Sequence, residues 1–521
     1  MTRHLETRRD ALRAIAALGL AAPFALNLAQ VGTAAAANGP SDYKALVCVF
    51  LRGGNDSNNL LLATDTDSWR RYWLARNRGV DPIALMPPGT PRVPVGQIST
   101  ATNRRVLTTD NPEYWGGVLP IAPRTPQAIP GSNVTVQRDF ALHPLLPQVR
   151  GLYNSNRLAF LANVGTLLAP ITKTDYLKGS SSAIPIPQRL FSHSDQQAAW
   201  QSGQVESPVA GWGGKLVDAF VAAGNSASVD FASLTTADAS IFPVGKSVKP
   251  YRAELTNTGA GAQAISLLQQ TGGYNYSSIM LQALSDTLLQ NDSPGSALGD
   301  AYVAAVRQSN KTAKQFNAAL AKTTVSAPAV FTDPMTGLTA KNPLAEQLYA
   351  VADTIANHGS LGVNRQVFFV QLDGFDTHNF QNKRQGLLYA QIDHALYYFD
   401  RTMQMLGLAN AVTTFTASDF NRTFSTNGDG TDHSWGGHHL IMGGAVKGGD
   451  IYGTYPTLGL DDKSAGFANP DAVGDALIPT TSVEQYLATM GLWLGVTDSQ
   501  LATIFPRLST FSAKSLGFMA D

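Results

Sequence analysis

The sequence predicts an α/β fold with a mostly parallel central sheet, helices between the strands, and a helical insertion. Three observations predict it. Five short apolar runs, β-branched and aromatic, have the composition of strands buried on both faces. Each gives way within two residues to Gly, Asp or Ser, as the carboxyl ends of parallel strands do where they hold a site. Stretches with helical spacing lie between the runs.

Taken in order, the first run is Ala45 to Leu51, followed by Arg52-Gly53-Gly54-Asn55-Asp56. The second is Leu158 to Val164, ending at Gly165. The third is Val367 to Leu372, followed by Asp373-Gly374-Phe375-Asp376. The fourth is Ala411 to Thr416, ending at Ser418-Asp419. The fifth is His439 to Met442, ending at Gly443-Gly444. Leu145 to Tyr153 is a short amphipathic helix. Residues 383–406 place Leu387, Leu388, Ile392, Ala395, Leu396, Phe399, Met403 and Leu406 on one stripe. Val483 to Leu494 and Asp498 to Phe505 are two further helices. Residues 62–140 contain Pro and Arg and few long apolar runs, so loops over one face are expected there. Residues 205–345 are rich in Ala, Ser, Thr and Gln. Helical stretches at Ile265–Leu268, Ile279–Leu289 and Leu298–Ala321 mark them as a helical cap insertion.

Composition removes several function classes. The 521 residues carry 38 Lys plus Arg and 38 Asp plus Glu, a formal net charge of zero. Charged residues are 15%, against about a quarter in ordinary chains. Nucleic acid is therefore excluded as a partner, because phosphate neutralisation needs clustered positive charge. At 44% hydrophobic the chain is too apolar for disorder. A single cysteine excludes a disulfide scaffold, iron–sulfur clusters and Cys-rich zinc sites. That residue, Cys48, lies within the first apolar run and reads as a buried core thiol.

Residues 1–37 read as an export signal. Thr7-Arg8-Arg9-Asp10-Ala11-Leu12-Arg13 precedes an Ala/Leu/Gly-rich run, Ala14 to Leu28, and the small-residue segment Gly32 to Ala37. The paired arginines point to the twin-arginine (Tat) export machinery as a partner, the alternative being an ordinary Sec signal. The expected location is periplasmic or secreted, with 38–521 as one domain. No later stretch approaches 18 uninterrupted apolar residues, so no stable membrane insertion is expected. Removing the segment takes away four arginines and two acids, leaving 34 basic and 36 acidic side chains, a net of −2.

The chemistry-bearing residues are concentrated. Eight histidines remain beyond the signal, and five, His378, His394, His433, His438 and His439, fall in a 62-residue span. Asp373, Asp376, Asp419, Asp429 and Asp432 lie in or just before that span. Adjacent strand ends would bring carboxylate and imidazole into one crevice, and mixed O/N ligands suit zinc, manganese or another divalent ion. His394, on the helical stripe, and His358, in a helix-end pattern, read as structural. Upstream, Ser194 followed by Asp195 and Gln197 reads as a helix N-cap. Ser192 or Ser194 could equally act as a nucleophile. There is no G-x-S-x-G elbow, H-E-x-x-H helix or G-x-G-x-x-G fingerprint. Val244-Gly245-Lys246-Ser247 lacks the first glycine of a P-loop.

These residues resemble the DUF1501 family of exported bacterial proteins, placed in the alkaline phosphatase/sulfatase superfamily. The resemblance rests on Val49-Phe50-Leu51-Arg52-Gly53-Gly54-Asn55-Asp56, Leu142-His143-Pro144, Ser192-His193-Ser194-Asp195 and Gly374-Phe375-Asp376-Thr377-His378. It continues in Ser418-Asp419-Phe420-Asn421-Arg422-Thr423, Gly430-Thr431-Asp432-His433, and His438-His439 leading to Gly443-Gly444-Ala445-Val446-Lys447-Gly448-Gly449. It implies an alkaline phosphatase-like fold, a mostly parallel sheet with helices on both faces and metal at the strand ends. Carried over by motif, Asp56, Asp376, His378, Asp419, Asp432 and either His433 or His438 become metal ligands. Ser192 or Ser194 occupies the nucleophile segment, with His193 between them. The superfamily often has Asp-His where this chain has Asp419-Phe420, and His433 or His193 would supply the missing imidazole.

Two functions are expected from this pattern. One is an exported hydrolase of phosphate or sulfate esters, using a divalent metal (Zn, Mn or Ca) on a small-molecule or polysaccharide substrate, with Arg52 and Arg422 as anion clamps. The alternative is a non-catalytic metal- or carbohydrate-binding assembly protein with a degenerate hydrolase site. A metal-free serine hydrolase would leave the Asp/His cluster unexplained.

Overall fold

The computed structural model describes residues 42–520, apart from 99–105, 129–137, 223–228, 239, 256–261, 265–296, 324 and 463–467. Residues 1–37 and the expected helical stretches at 265–268 and 279–289 lie outside the described residues.

The strands, in chain order, are β1 (Lys44–Arg52), β2 (Leu61–Ala63), β3 (Leu119–Ile121), β4 (Phe140–Leu142), β5 (Leu158–Gly165), β6 (Ser233–Thr235), β7 (Tyr251–Leu255) and β8 (Ala262–Ala264). They continue as β9 (Phe331–Thr332), β10 (Thr339–Ala340), β11 (Arg365–Asp373), β12 (Val412–Ser418), β13 (Gly437–Met442), β14 (Ile451–Tyr452), β15 (Ala472–Val473), β16 (Ala476–Leu477) and β17 (Thr481–Ser482). Among the described residues the central sheet runs β14-β5-β13-β12-β1-β11-β6-β7-β8, with β17 beside β5. Most of its pairings are parallel, including β1 with both β11 and β12. β1 occupies the middle, and Ala45 to Leu51 are buried throughout, as a run without polar alternation demands.

Two groups of helices cover the sheet. α1 (Thr66–Arg76), α2 (Pro147–Asn154), α3 (His193–Ser202), α4 (Trp212–Ala222), α5 (Ala297–Leu320), α6 (Pro343–Ala356), α7 (Gln381–Met405), α8 (Val483–Leu494) and α9 (Asp498–Ile504) are the principal ones. α7 packs on α2 and α6, and α6 packs on β11. α8 and α4 both pack on α9, with α8 also on β1 and β5, and α4 on β11. One hydrophobic core runs from Tyr43 to Met519. Cys48 is part of it, and burial raises its thiol pKa well above the usual value.

Three local expectations change. β13 is antiparallel to β12 and β5. After β12 the chain folds back on itself, with Arg422 bridging to His433, so β13 starts at the edge where β12 ends. Residues 205–345 do more than form helices: β6, β7 and β8 extend the central sheet beyond β11. Residues 62–140 contain α1 and β3 and are bracketed by β2 and β4, which join β3 in a small antiparallel sheet, β2-β4-β3. α1 escaped notice because its Trp and Arg side chains give no clean apolar stripe.

The register sets the site. Arg52 lies beside Asp373, and Leu51 beside Ser418. The segments 53–56, 374–378 and 419–422 therefore leave the sheet side by side, with 423–436 folded over the same edge.

Candidate metal centre

The glycines after β1 let these segments close together. Gly53 has φ +116°, and a Cβ there would meet the Asp376 amide nitrogen at 2.4 Å. Gly54 has φ +85°, and a Cβ would meet the Phe420 ring at 2.4 Å. Positive φ and close approach both demand glycine.

Asp376 is the hub. Its Oδ1 accepts from Arg422 Nη1 at 2.7 Å, and lies 3.1 Å from His378 Nε2 and 3.4 Å from His433 Nε2. Its Oδ2 lies 3.4 Å from His193 Nε2. Ligand atoms of His193, Asp376 and His433 lie within 4.8 Å of one another. His378 Nε2 adjoins them, 3.0 Å from His433 Nε2.

All three imidazoles are held from behind through Nδ1. His193 Nδ1 faces Asp419 Oδ2 at 2.7 Å, His378 Nδ1 faces Asp432 Oδ1 at 2.9 Å, and His433 Nδ1 faces the Phe191 carbonyl at 2.7 Å. Ionised carboxylates and carbonyls only accept, so each Nδ1 carries a proton and each ring turns its Nε2 toward Asp376. A carboxylate or carbonyl behind a histidine is the usual support for a metal-ligating ring. His193 Nε2 is buried without a hydrogen-bond partner. The donor set of His193, Asp376 and His433 fits a divalent cation, with His378 beside it. Imidazole donors favour zinc over the oxygen-seeking calcium.

The electrostatics agree with a preformed site. Burial raises the Asp376 carboxyl pKa, but Arg422, His193 and His378 outweigh burial and hold it below the ordinary value. The hydrogen bond to Asp419 raises the His193 pKa against the effect of burial. Burial lowers that of His433. The rings remain partly open to solvent, with side-chain exposures of 31% for His193, 43% for His378 and 22% for His433.

Other expected ligands take other places. Asp419 is fully buried behind His193 and also accepts from Gln197 Nε2 and the Gly53 amide. Asp432 stands behind His378 and accepts from Asn427. Asp56 is not at the site: Arg76 grips both its oxygens at 2.5 and 2.9 Å, and the two side chains are wholly buried. His438 is also elsewhere. It stacks on Tyr455, accepts the Asn163 amide, and burial lowers its pKa to about 3. His439 is a core residue packed on Trp200. His394 and His358 are structural, bonded to Ala329 and Asn342, and to Val363, respectively.

Arg422 differs from its expected role as an anion clamp. Its guanidinium is buried and bonds Asp376, the Gly53 carbonyl, and both the hydroxyl and carbonyl of Thr431. Arg52 pairs with Asp373 at 3.6 Å. Ser192, not Ser194, is the N-cap residue of α3, and its hydroxyl donates to Asp195 at 2.6 Å. Among the described residues neither serine hydrogen-bonds to a histidine. Phe420 fills the place of the missing imidazole, with ring centroids 4.8 Å from His193 and 4.5 Å from His433. Both histidines considered for that vacancy flank it.

The support from the Phe191 carbonyl and from Gln197 is not visible in the sequence, because backbone carbonyls carry no residue signature and the Ser194-Asp195-Gln196-Gln197 pattern is that of a helix cap. A cleft of about 600 Å³ opens beside the site, lined by Tyr176, Ile186, Pro187, Arg189, Leu190, Phe191, Ser192 and Asp195.

A family model described as a protein of unknown function (DUF1501) matches residues 43–504. No curated protein matches the chain. Among solved structures, the chain is similar to the lipoteichoic acid synthase LtaP from Listeria monocytogenes, at 7% identity and TM-score 0.28, covering 88% of this chain and 75% of that one. It is also similar to a sulfatase from a Pseudoalteromonas species, at 9% identity and TM-score 0.33, covering 91% and 72%. For a phosphonate monoester hydrolase from Silicibacter pomeroyi the values are 10%, 0.28, 68% and 69%. These likenesses are distant.

Proposed function

Because the chain belongs to the DUF1501 family, whose function is unknown, we propose its activity from the site itself: a metal-dependent hydrolase of phosphate or sulfate esters. The observation that carries this reading is the convergence of three Nε2 atoms on Asp376 while each Nδ1 is held by an acceptor. The choice of phosphate or sulfate ester rests on the motif resemblance.

A divalent ion here supplies positive charge for a non-bridging ester oxygen and makes a water more acidic. The chain's own residues prepare that chemistry. Asp419, Asp432 and the Phe191 carbonyl fix the ring orientations and keep the Nδ1 protons in place. Arg422 orients the Asp376 carboxylate. Phe420 closes the inner wall against water. The cleft past Phe191 takes the part of the substrate that does not react, a small molecule or a polysaccharide segment. Export by the twin-arginine route to the periplasm or beyond belongs to the proposal. Among the described residues no helix is long and apolar enough to cross a membrane.

One observation favours the alternative, an exported binding or assembly protein with an inherited metal site. Arg422 is buried and committed to Asp376, Gly53 and Thr431, so that guanidinium is not free for an ester's anionic group. Elemental analysis of the purified protein, with a screen on aryl phosphates, phosphodiesters and sulfates, decides between them. The hydrolase reading expects metal and turnover, both abolished in Asp376→Ala. Metal without turnover on any ester establishes the alternative, and unchanged metal content in Asp376→Ala overturns the site.

A further inference from the structure

Asp56 was expected at the metal and sits instead in a buried chain of hydrogen bonds that ends on Asp376. We propose that Gln381 and Thr431 are positioning residues for the metal centre, linking the Asp56–Arg76 ion pair to Asp376 through Arg422. The proposal rests on the metal reading above.

The chain is continuous, and each donor meets an acceptor. Asp56 Oδ2 accepts from Arg76 and, at 2.5 Å, from Gln381 Nε2. That fixes the amide: its Oε1 must point away from Asp56, where it accepts the hydroxyls of Thr431 at 2.7 Å and Thr377 at 3.2 Å. With its proton committed to Gln381, the Thr431 hydroxyl can only accept from Arg422 Nε, at 3.3 Å, while the Thr431 carbonyl takes Nη2. Arg422 Nη1 is then the guanidinium nitrogen left to reach Asp376 Oδ1. Asp56, Arg76, Thr377, Gln381, Arg422 and Thr431 are each at most 1% exposed. No water competes for these groups, so reversing one orientation would strand a buried donor or acceptor.

The functional consequence lies at the carboxylate. Nη1 occupies one direction on Asp376 Oδ1 and so determines which face of the carboxylate is turned to the imidazoles. Removing a group that supports a metal ligand weakens metal binding by about 10–100-fold.

The test is titration of the full folded protein with Co²⁺, read by affinity and by the visible ligand-field spectrum. Thr431→Val keeps the shape and removes the hydroxyl; Thr431→Ser restores it. The expected result is an affinity about tenfold weaker and an altered spectrum for Thr431→Val, with Thr431→Ser close to wild type. Gln381→Met gives the same readout if Thr431→Val fails to fold. A folded Thr431→Val or Gln381→Met protein that binds Co²⁺ like wild type overturns the proposal alone. So does a Thr431→Ser protein as weak as Thr431→Val. Wild-type protein that does not bind Co²⁺ overturns the metal reading, and this proposal with it.

Discussion

His378 Nε2 and His433 Nε2 face each other at 3.0 Å, while the Nδ1 of each ring points at an oxygen that can only accept. Two neutral rings held this way would oppose lone pairs. The contact is favourable only with a cation between or beside them, either a proton or a metal ion. The two cases differ experimentally. A metal ion that binds only the folded protein stabilises it by about 2.7 kcal/mol at a hundredfold excess over Kd. We expect Zn²⁺ to raise the melting temperature by a few degrees and EDTA to reverse the rise. A melting temperature indifferent to Zn²⁺, Mn²⁺ and EDTA would leave the proton as the cation.

Two histidines that look alike in the sequence should behave oppositely. His433→Ala removes a ring from the centre, so metal content should drop sharply while the core is untouched. His438→Ala empties a site stacked on Tyr455 and leaves the Asn163 amide without its acceptor. It should cost about 2–4 kcal/mol of stability and leave metal content unchanged. Metal analysis and urea unfolding of both variants check the pair; loss of metal in His438→Ala contradicts this assignment.

The sequence made the strands legible because β1 and β5 are largely apolar and β11 and β12 are rich in β-branched and aromatic residues, and the ends of β11 and β12 carried Asp376, His378 and Asp419 to one edge. The roles within that edge were not legible. Whether a carboxylate meets the ion or the back of an imidazole depends on a few ångströms, and Asp419 and Asp432 differ from Asp376 only in that. Asp56 was misread for a related reason. Its partner Arg76 lies 20 positions on, in a helix with no clean apolar face, so nothing local announced that the carboxylate was already neutralised. His193 was noted as one source of the missing imidazole, but its neighbouring serines drew it toward a nucleophile segment.

Asp56 supplies the next prediction. Asp56→Asn leaves the Arg76 guanidinium buried beside a neutral amide, and breaking one side of a buried pair costs about 3–5 kcal/mol. Metal bound per folded protein at saturating Zn²⁺ should stay as in wild type, because Asp56 is not a ligand and reaches Asp376 only indirectly, through Gln381, Thr431 and Arg422. Denaturant unfolding together with metal analysis tests both halves. Intact stability with lost metal would return Asp56 to the ligand set.

Stability should also depend on pH through Asp393, on α7 and away from the metal. Burial raises its pKa from 3.8 to about 7, although the Val149 and Gln148 amides pull the other way. The folded protein therefore holds this proton more tightly than the unfolded chain does. The resulting stabilisation is complete below about pH 4 and is lost as pH rises toward 7, at up to about 1.4 kcal/mol per pH unit. Asp393→Asn keeps an oxygen to accept the Val149 amide, which lies 2.8 Å from Oδ1, but has no proton to lose. Relative to wild type, the variant should gain stability steadily between pH 4 and 7, by a few kcal/mol in total, and run parallel to it above and below. Urea midpoints across that range measure the difference. A difference independent of pH would mean that the Asp393 carboxyl titrates alike in the folded and unfolded chains.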